Sequence, residues 1–297
     1  MANIRGLVGF NPSSGTARLF AAYGPNIVNL ATNTGYAVIA DNANDVEFEK
    51  FLDRVFFQNN VDLPLTYRTS TNVWSNEYVG RTSISKYIKK YKSRIYLGYC
   101  GFIAPQTPLD TGSAAITFPS RVFYSDLYSG GNLTWGIEWS RNGAVTVNSN
   151  LFTIAAPLNQ DFKARNIKVG DPIFFTNGNA NLTSDKPYLV ASIQNAYRVT
   201  VDRNFPVTAT GQHFWVGSNW FDVSPDDGDV ITGFGENSDS LLIFKLYSLW
   251  LYTRLESSAT LRQVPGAVGT SYNRSIINDR YGNTYYFHGS DPKISGI

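Results

Sequence analysis

The segment VEFEKFLDRVFFQNNVDLPLTYRTSTNVW (46–74) decides the fold, because it places two apolar strands around a tight turn. We interpret VEFEKF (46–51) and LDRVFF (52–57) as a β-hairpin and LPLTYR (63–68) as an outer strand. The sequence therefore predicts a β-hairpin unit that recurs along the chain. The further copies are KYIKKYKSRIYL (86–97), DVITGFGENSDSLLIF (229–244), RSIINDRYGNTYYF (274–287) and the looser GTARLFAAY (15–23).

The spacing of these hairpins predicts the architecture. Leu19 and Val55 are 36 residues apart, Val55 and Ile95 are 40 apart, and Leu242 and Tyr285 are 43 apart. Repeats of about 40–50 residues with several short strands are typical of β-propeller blades. A β-sandwich also has hairpins at similar intervals, but the repeated order of polar strand, turn and aromatic strand favours the propeller. We predict an all-β protein whose β-propeller-like body has about five blade units.

One long interval interrupts the repeat. Ile95 and Leu242 are 147 residues apart, and the sequence of 143–217 differs from that of the blades. Its consecutive strands, with turns at Gly170–Asp171 and Gln194–Asn195, predict a small β-barrel inserted into the body. The predicted organisation is a first part of the body at 1–142, the inserted barrel at 143–217 and a second part of the body at 218–297.

The composition excludes several classes of protein. Only 16% of the 297 residues are charged, against about 25% in an average soluble domain, and aromatic residues reach 14%. This composition disfavours helical bundles and disorder, and the net charge of +2 gives no large attraction to nucleic acid or anionic membranes. The densest apolar segment, 241–252, is shorter than the roughly 20 residues of a spanning helix, so we expect no membrane anchor.

No catalytic constellation is recognised, and we predict that the protein is not an enzyme and uses no cofactor or metal. The single cysteine, Cys100, has no nearby basic residue in sequence, which favours a buried structural thiol. Of the two histidines, His213 lies between aromatic neighbours and His288 enters a turn. For both, a packed or surface role is favoured over that of a catalytic base.

The segment DVSPDDGDVITG (222–233) contains the densest run of acidic residues. A weak calcium site is one interpretation, because calcium prefers several oxygen ligands on a tight loop. The spacing differs from that of an EF-hand loop, so a solvated turn with hydrogen-bonding carboxylates is favoured. The acidic residues are Asp222, Asp226, Asp227 and Asp229.

The most basic stretch of the chain lies on the second predicted hairpin, where lysines alternate with tyrosines. Such a strand can present a stripe of cations to the phosphates of DNA. Because the overall charge is near zero, a solvated or subunit-facing blade edge is the favoured alternative. The residues of this candidate DNA-facing strand are Lys86, Lys89, Lys90, Lys92 and Arg94.

The C-terminal segment LRQVPGAVGTSYNRSIINDRYGNTYYFHGSDPKISGI (261–297) resembles the recurring blade sequence of tail and neck proteins of tailed bacteriophages, of the β-propeller tail nozzle (tail tubular) type. That sequence has a PGxxGTxxxRSI segment followed by a strand of the Gly-x-x-Tyr-Phe kind. PSRVFYSDL (119–127), 221–252 and 46–74 are similar to other blades of this family. The matching C-terminal residues are Pro265, Gly266, Gly269, Thr270, Arg274, Ser275, Ile276, Gly282 and Tyr285–Phe287.

The resemblance implies a non-enzymatic structural subunit of a virion, assembled in the host cytoplasm. Such proteins form rings, commonly hexameric, that line or close the DNA exit channel and contact other tail and neck proteins. The low charge agrees, because the cores of protein interfaces are depleted in Lys and Glu. The alternative is a carbohydrate-binding propeller that recognises a glycan receptor at the tail.

The end of the chain departs from the family pattern, because GSDPKISGI (289–297) stands where further strands usually follow. Either the N-terminal strand IRGLVGF (4–10) completes the last blade, or the chain is a shortened relative with an incomplete propeller.

Overall fold

The computed structural model shows an all-β protein with several antiparallel sheets and a closed barrel. In the described ranges the single helix is a three-residue 3-10 turn at Asn273–Ser275, and no helix there is long and apolar enough to cross a membrane. The structure describes the chain except for residues 1–3, 14, 33, 40–43, 63, 76–83, 103–115, 127–134, 136, 156–160, 164–165, 178, 180, 183–186, 218, 256–257, 280, 289–293 and 297.

The first two sheets follow one another in the chain, and each is a four-stranded antiparallel meander. Sheet 1 contains β1 (Ile4–Phe10), β2 (Arg18–Tyr23), β3 (Asn26–Asn29) and β4 (Thr34–Val38) in that order. Sheet 2 contains β5 (Glu47–Phe51), β6 (Arg54–Gln58), β7 (Leu65–Arg68) and β8 (Val73–Ser75) in that order.

Sheet 3 is divided in sequence by the barrel. Its first three strands are β9 (Ile84–Tyr91), β10 (Arg94–Phe102) and β11 (Ile116–Tyr124). The chain then forms the barrel and returns as β18 (Trp220–Asp222), which pairs with β11 and completes the order β18-β11-β10-β9. The barrel is therefore an insertion between two neighbouring strands of one sheet.

The barrel has six strands, which close in the order β12-β13-β16-β15-β14-β17. Phe152, Phe175, Tyr188, Phe205 and Phe214 pack inside it within one core. These strands are β12 (Ile137–Val145), β13 (Leu151–Ile154), β14 (Pro172–Asn177), β15 (Tyr188–Asn195), β16 (Arg198–Val201) and β17 (Ala209–Val216).

Two details of the barrel differ from the sequence interpretation. Its first strand begins at Ile137, before the predicted boundary at 143, and pairs with β17 through Ile137 and Val216. The predicted turn at Gln194–Asn195 was wrong, because β15 continues to Asn195 and the turn lies at Ala196–Tyr197. A register shift between Ile193 and Asn195 lengthens this strand and moves the turn.

The chain ends with two further sheets. Sheet 4 has the order β19-β20-β21-β22, and sheet 5 has the order β23-β24-β25. Sheet 4 contains β19 (Ile231–Glu236), β20 (Leu241–Lys245), β21 (Leu249–Arg254) and β22 (Ala259–Gln263). Sheet 5 contains β23 (Ile277–Asn278), β24 (Thr284–Phe287) and β25 (Ile294–Gly296).

The predicted hairpins are confirmed at the first two strands of sheets 2 and 3. Phe51 pairs with Arg54 across the turn at Leu52–Asp53, and Tyr91 pairs with Arg94 across the turn at Lys92–Ser93. Both residues of the second turn have positive φ, 43° and 58°. Two consecutive residues of this kind form the turn whose twist matches that of antiparallel strands.

The sheets pack against one another in chain order, through four separate apolar cores. Among the described residues, no such core joins sheet 5 to sheet 1. Sheet 1 packs on sheet 2 (Phe20, Tyr67), sheet 2 on sheet 3 (Phe56, Ile95), sheet 3 on sheet 4 (Tyr96, Ile243) and sheet 4 on sheet 5 (Phe244, Tyr286). The first strands of successive sheets are neighbours, so they lie on the inner side of this series.

The N-terminal strand does not complete the last sheet. β1 pairs with β2, from Ile4 opposite Tyr23 to Phe10 opposite Arg18. Of the two alternatives for the end of the chain, the one in which 4–10 completes the last blade was wrong, because this strand is the first strand of its own sheet. The loop within 101–119 falls mostly outside the described residues.

Candidate functional site

Strand β9 carries the first residues of the basic stretch, and both of its faces are covered. Tyr87 belongs to the core shared with sheet 4, whereas Ile88 belongs to the core shared with sheet 2. Lys86 and Lys90 are exposed and Lys89 is half-buried. The lysines therefore emerge along the edge of an otherwise enclosed strand, not from one broad basic face.

These lysines share their surroundings with carboxylates of sheet 2. Glu49 accepts a hydrogen bond from the backbone N–H of Lys90 and is attracted by Lys89, while burial raises its pKa. Lys86 lines a cavity of about 170 Å³ together with Asp45 and Glu47. Burial also raises the pKa of Glu47. The positive charge of the strand is thus partly balanced by acidic groups on the neighbouring strand.

Arg94 does not belong to the exposed basic stretch. Its side chain is buried, its Nη1 donates a hydrogen bond of 2.7 Å to the Ser125 carbonyl, and it lies 3.9 Å from a carboxylate oxygen of Asp126. The prediction that Arg94 faces DNA was wrong, because the charge pattern does not reveal that β10 is a central strand. Lys92 is exposed and donates a hydrogen bond of 3.0 Å to the Arg254 carbonyl.

The acidic run before sheet 4 surrounds a buried lysine. Lys245 is fully buried, and its Nζ donates to both carboxylate oxygens of Asp227, at 2.7 and 2.8 Å, and to the carbonyls of Val223 and Ser224. Although burial opposes it, hydrogen bonding to Lys245 helps to lower the pKa of Asp227. Three acidic residues of the run therefore have structural contacts: Asp227 binds Lys245, Asp222 pairs with Arg121 at 2.8 Å, and the buried Asp229 accepts a hydrogen bond of 2.8 Å from the Ser248 hydroxyl.

The single cysteine and His213 both lie on β-strands, Cys100 on β10 and His213 on β17. Cys100 is buried, with its Sγ 3.2 Å from the Leu97 carbonyl, and His213 is half-buried on β17. Within the described ranges, His, Cys, Asp and Glu form no group of three or more able to hold a metal ion.

Trp220 forms the junction between the barrel and sheet 3. The Arg121 guanidinium lies 3.6 Å from the centroid of its ring, and the Lys168 ammonium lies 3.8 Å from it. The indole Nε1 donates to Asp171 at 2.8 Å. Lys168 and Asp171 belong to the barrel, whereas Arg121 and Trp220 belong to sheet 3. This set of contacts joins the inserted barrel to the sheet that it interrupts.

Asp171 is the buried acid of this junction. Its second carboxylate oxygen accepts a hydrogen bond of 2.9 Å from the backbone N–H of Lys168. Desolvation is the largest effect on this group and raises its pKa to about 6, although both hydrogen bonds favour the ionised form. The same burial lowers the pKa of Lys168.

A groove of about 340 Å³ lies between the outer strands of sheets 3 and 4. The Phe221 and Tyr252 rings stack at 4.5 Å with an interplanar angle of 8°, and Tyr124 lies 6.2 Å from Phe221. We call this the aromatic groove. Its lining residues are Tyr124, Trp220, Phe221, Tyr252, Arg254, Ser258, Ala259, Thr260 and Leu261.

Arg254 is the charged group of the aromatic groove. Its guanidinium lies 4.9 Å from the centroid of the Tyr124 ring, and Nη1 donates to the Tyr252 hydroxyl at 3.2 Å. Hydrogen bonds to these two tyrosines raise the pKa of Arg254, against the opposing effect of burial. The amino-acid sequence alone does not single out Arg254, because its two partners lie on β11 and β21, which are far apart in the chain.

Comparisons with known proteins show no match to a family model and none to a curated protein. Among solved structures, the chain is similar to a phage phi92 endosialidase (13% identity, TM-score 0.23), covering 88% of this chain and 48% of that one. It thus spans about half the length of the endosialidase. A chain of a mitotic checkpoint complex has 12% identity and a TM-score of 0.26, with 94% of this chain and 83% of that chain covered. With TM-scores this low, the likenesses carry no argument about function.

Proposed function

We propose that this chain is a structural subunit of a bacteriophage virion, in the tail or the head-to-tail region, that assembles with copies of itself into a ring. In this proposal the five sheets are the blades of a propeller-like body. The supporting observation is that the first and last sheets each pack one face against a neighbouring sheet and have exposed apolar side chains on the other face. The C-terminal sequence resemblance supports the placement in a phage.

Buried and exposed side chains alternate along β24, so sheet 5 has one buried face and one exposed face. Tyr286 packs on Phe244 of sheet 4, while Tyr285 and Phe287 point to the opposite side. Ile277 pairs with Tyr285 across the strands and is 62% exposed. We call Ile277, Tyr285 and Phe287 the sheet 5 face. Three large apolar side chains on one short sheet form a surface that favours contact with another protein.

Sheet 1 has a corresponding surface on the side away from sheet 2. Its buried side chains, such as Phe20, belong to the core with sheet 2. Leu7 is 56% exposed on the other side, and Ile4 pairs there with Tyr23. The sheet 1 face consists of Ile4, Leu7, Leu19 and Tyr23, all of them exposed.

Within the described ranges, sheets 5 and 1 share no apolar core, and these two faces lie on the sides where such a core would form. The inner ends of sheets 5 and 1 are close, because Arg274 donates a hydrogen bond to the Arg5 carbonyl and pairs with Asp45 at 3.1 Å. The apolar side chains beyond this contact nevertheless stay exposed. If sheet 5 of one copy packs on sheet 1 of the next, the interface joins two different surfaces. Such head-to-tail contacts form a ring when the rotation between copies closes.

Measuring the mass of the purified full-length protein by light scattering, with negative-stain imaging, tests this proposal. We expect a closed assembly of several copies that persists on dilution. A monomer at every concentration would refute the ring. The Tyr247→Ser variant is a matched control, because Tyr247 is 71% exposed on a turn of sheet 4, away from both faces, and its loss should leave the mass unchanged.

A further inference from the structure

We propose that the aromatic groove binds an acidic saccharide, that is, a sugar carrying a carboxylate. This inference goes beyond ring assembly, because the groove uses none of the residues of the sheet 1 face or the sheet 5 face. It is built between two sheets that are packed together within one chain. A single copy therefore contains the complete site.

The position of the groove makes it accessible from outside. Trp220 and Phe221 lie on β18, and Ala259, Thr260 and Leu261 lie on β22. These strands are the last in the order of sheets 3 and 4, at the opposite edges from β9 and β19. A ligand can reach the groove without entering the inner side of the series of sheets.

The lining suits one or two sugar rings. Its volume of about 340 Å³ lies within the range of small-molecule sites, roughly 300–1,000 Å³. Phe221 and Tyr124 are only partly buried, so aromatic surface is available to the C–H groups of a sugar. Hydroxyl groups of Ser258 and Thr260, which are both exposed, can exchange hydrogen bonds with sugar hydroxyls.

The positive charge of the groove favours an anionic ligand. In the part of the chain that the structure describes, Arg254 forms no ion pair with a carboxylate; its side-chain contacts are with Tyr124 and Tyr252. The Lys92 ammonium is bound to the Arg254 carbonyl and adds a second positive charge nearby. The guanidinium fork matches a carboxylate through two parallel hydrogen bonds, and these are stronger than neutral ones.

The direct test measures the binding of three probes to the full-length protein by saturation-transfer NMR and by titration. The probes are glucuronic acid, glucose and acetate. We expect glucuronic acid to bind at least about tenfold more tightly than either of the others, because only it combines the ring with the carboxylate. Equal binding of acetate and glucuronic acid would mean a simple anion site and overturn the proposal. Equal binding of glucose, or no binding of any probe, would also overturn it.

Variants locate the binding in the groove. Arg254→Gln should weaken glucuronic acid binding about tenfold or more, since it removes the charged hydrogen bonds. Arg254→Lys keeps the charge but not the fork and should bind with intermediate affinity. Arg262→Gln is the matched control, because Arg262 is exposed on the same sheet but does not line the groove.

Two further measurements separate binding from folding and assembly. Each variant should have the mass of the wild type and should unfold in one transition well above the temperature of the binding assay, so that a loss of binding reflects the groove alone. Phe221→Leu keeps an apolar side chain in the core but removes the aromatic ring, and it should weaken glucuronic acid and glucose alike. Unchanged glucuronic acid binding by Arg254→Gln and Phe221→Leu would refute the site.

Discussion

The contact between sheets 3 and 4 and the junction between sheets 5 and 1 are built differently. Between sheets 3 and 4, Tyr96, Ile243 and Tyr252 form a buried aromatic core. At the junction between sheets 5 and 1, Arg274 makes polar contacts with Arg5 and Asp45, and the apolar side chains on both sides stay exposed. Sheets 3 and 4 thus bury their contact within one chain, whereas the first and last sheets each keep an exposed apolar face.

Charged groups show the same contrast. In sheet 4, the buried Lys245 has four hydrogen bonds and a carboxylate partner, so its charge is compensated inside the chain. The Arg274–Asp45 pair at the junction of sheets 5 and 1 is exposed on both sides, with side-chain exposures of 56% and 71%. An exposed ion pair of this kind contributes little to stability, roughly 0–1 kcal/mol. The terminal sheets are therefore held together weakly within one copy.

The largest effect on stability is expected in sheet 4, at the buried Lys245. Lys245→Ala should lower the free energy of unfolding by about 3–5 kcal/mol, because it empties the space of a fully buried side chain and leaves the Val223 and Ser224 carbonyls without their donor. Denaturant unfolding measures the change. Lys50→Ala, at an exposed position, is the control and should change stability by less than about 0.5 kcal/mol. A loss at Lys245 as small as that at Lys50 would show that this contact does not stabilise the sheet.

At the junction between the barrel and sheet 3, Asp171 should make the unfolding free energy depend on pH, with an effect of intermediate size. The pKa of Asp171 is about 6 in the folded protein, above its ordinary value of 3.8. The folded state therefore binds more protons than the unfolded state between these values, and the contribution of Asp171 to stability falls as pH rises from about 4 to 6. The shift corresponds to a loss of about 3 kcal/mol of unfolding free energy, which is complete about one pH unit above the folded pKa.

Comparing the wild type with the Asp171→Asn variant isolates this group from the other carboxylates. The variant carries a neutral amide at every pH, so it lacks the stability loss that ionisation of the buried acid causes in the wild type. The difference in unfolding free energy between the two proteins should therefore move in favour of the variant as pH rises from about 4 to 7. Denaturant unfolding at a series of pH values measures this difference. A difference that stays constant over this range would contradict the raised pKa.

The smallest effect on stability is expected on the sheet 1 face and the sheet 5 face. Phe287→Ser should change the unfolding free energy of one copy by no more than about 1 kcal/mol, because Phe287 is 45% exposed and outside the cores. The same change should abolish self-association, which sedimentation or light scattering would detect. A stability loss as large as that of a core residue would instead mean that Phe287 packs within its own chain.

Much of the fold could be predicted from the sequence, because strands with one buried face leave an alternating pattern. The hairpins at Phe51–Arg54 and Tyr91–Arg94 follow from that pattern and from the polar turns. The inserted barrel was recognised because its sequence differs from that of the hairpin repeats. Arg94 was misinterpreted because a charged residue at the start of a central strand can be buried when a carbonyl oxygen accepts its hydrogen bond and a carboxylate lies nearby.

The aromatic groove could not be predicted, because its parts are distant in the chain. Tyr124 and Phe221 are brought together only because β11 pairs with β18 across the whole inserted barrel. Arg254 joins them from β21 of the next sheet. Aromatic richness is visible in the composition, but sequence alone does not show which rings face a groove and which fill a core.

The most direct test of head-to-tail assembly mixes two variants, Leu7→Lys on the sheet 1 face and Phe287→Glu on the sheet 5 face. Each variant alone should be a monomer, because one side of every interface carries an uncompensated charge. The equimolar mixture should associate, since each variant keeps one intact face and the introduced charges are opposite. If the wild type assembles but the mixture stays monomeric, or if the wild type is itself a monomer, the two faces do not join neighbouring copies.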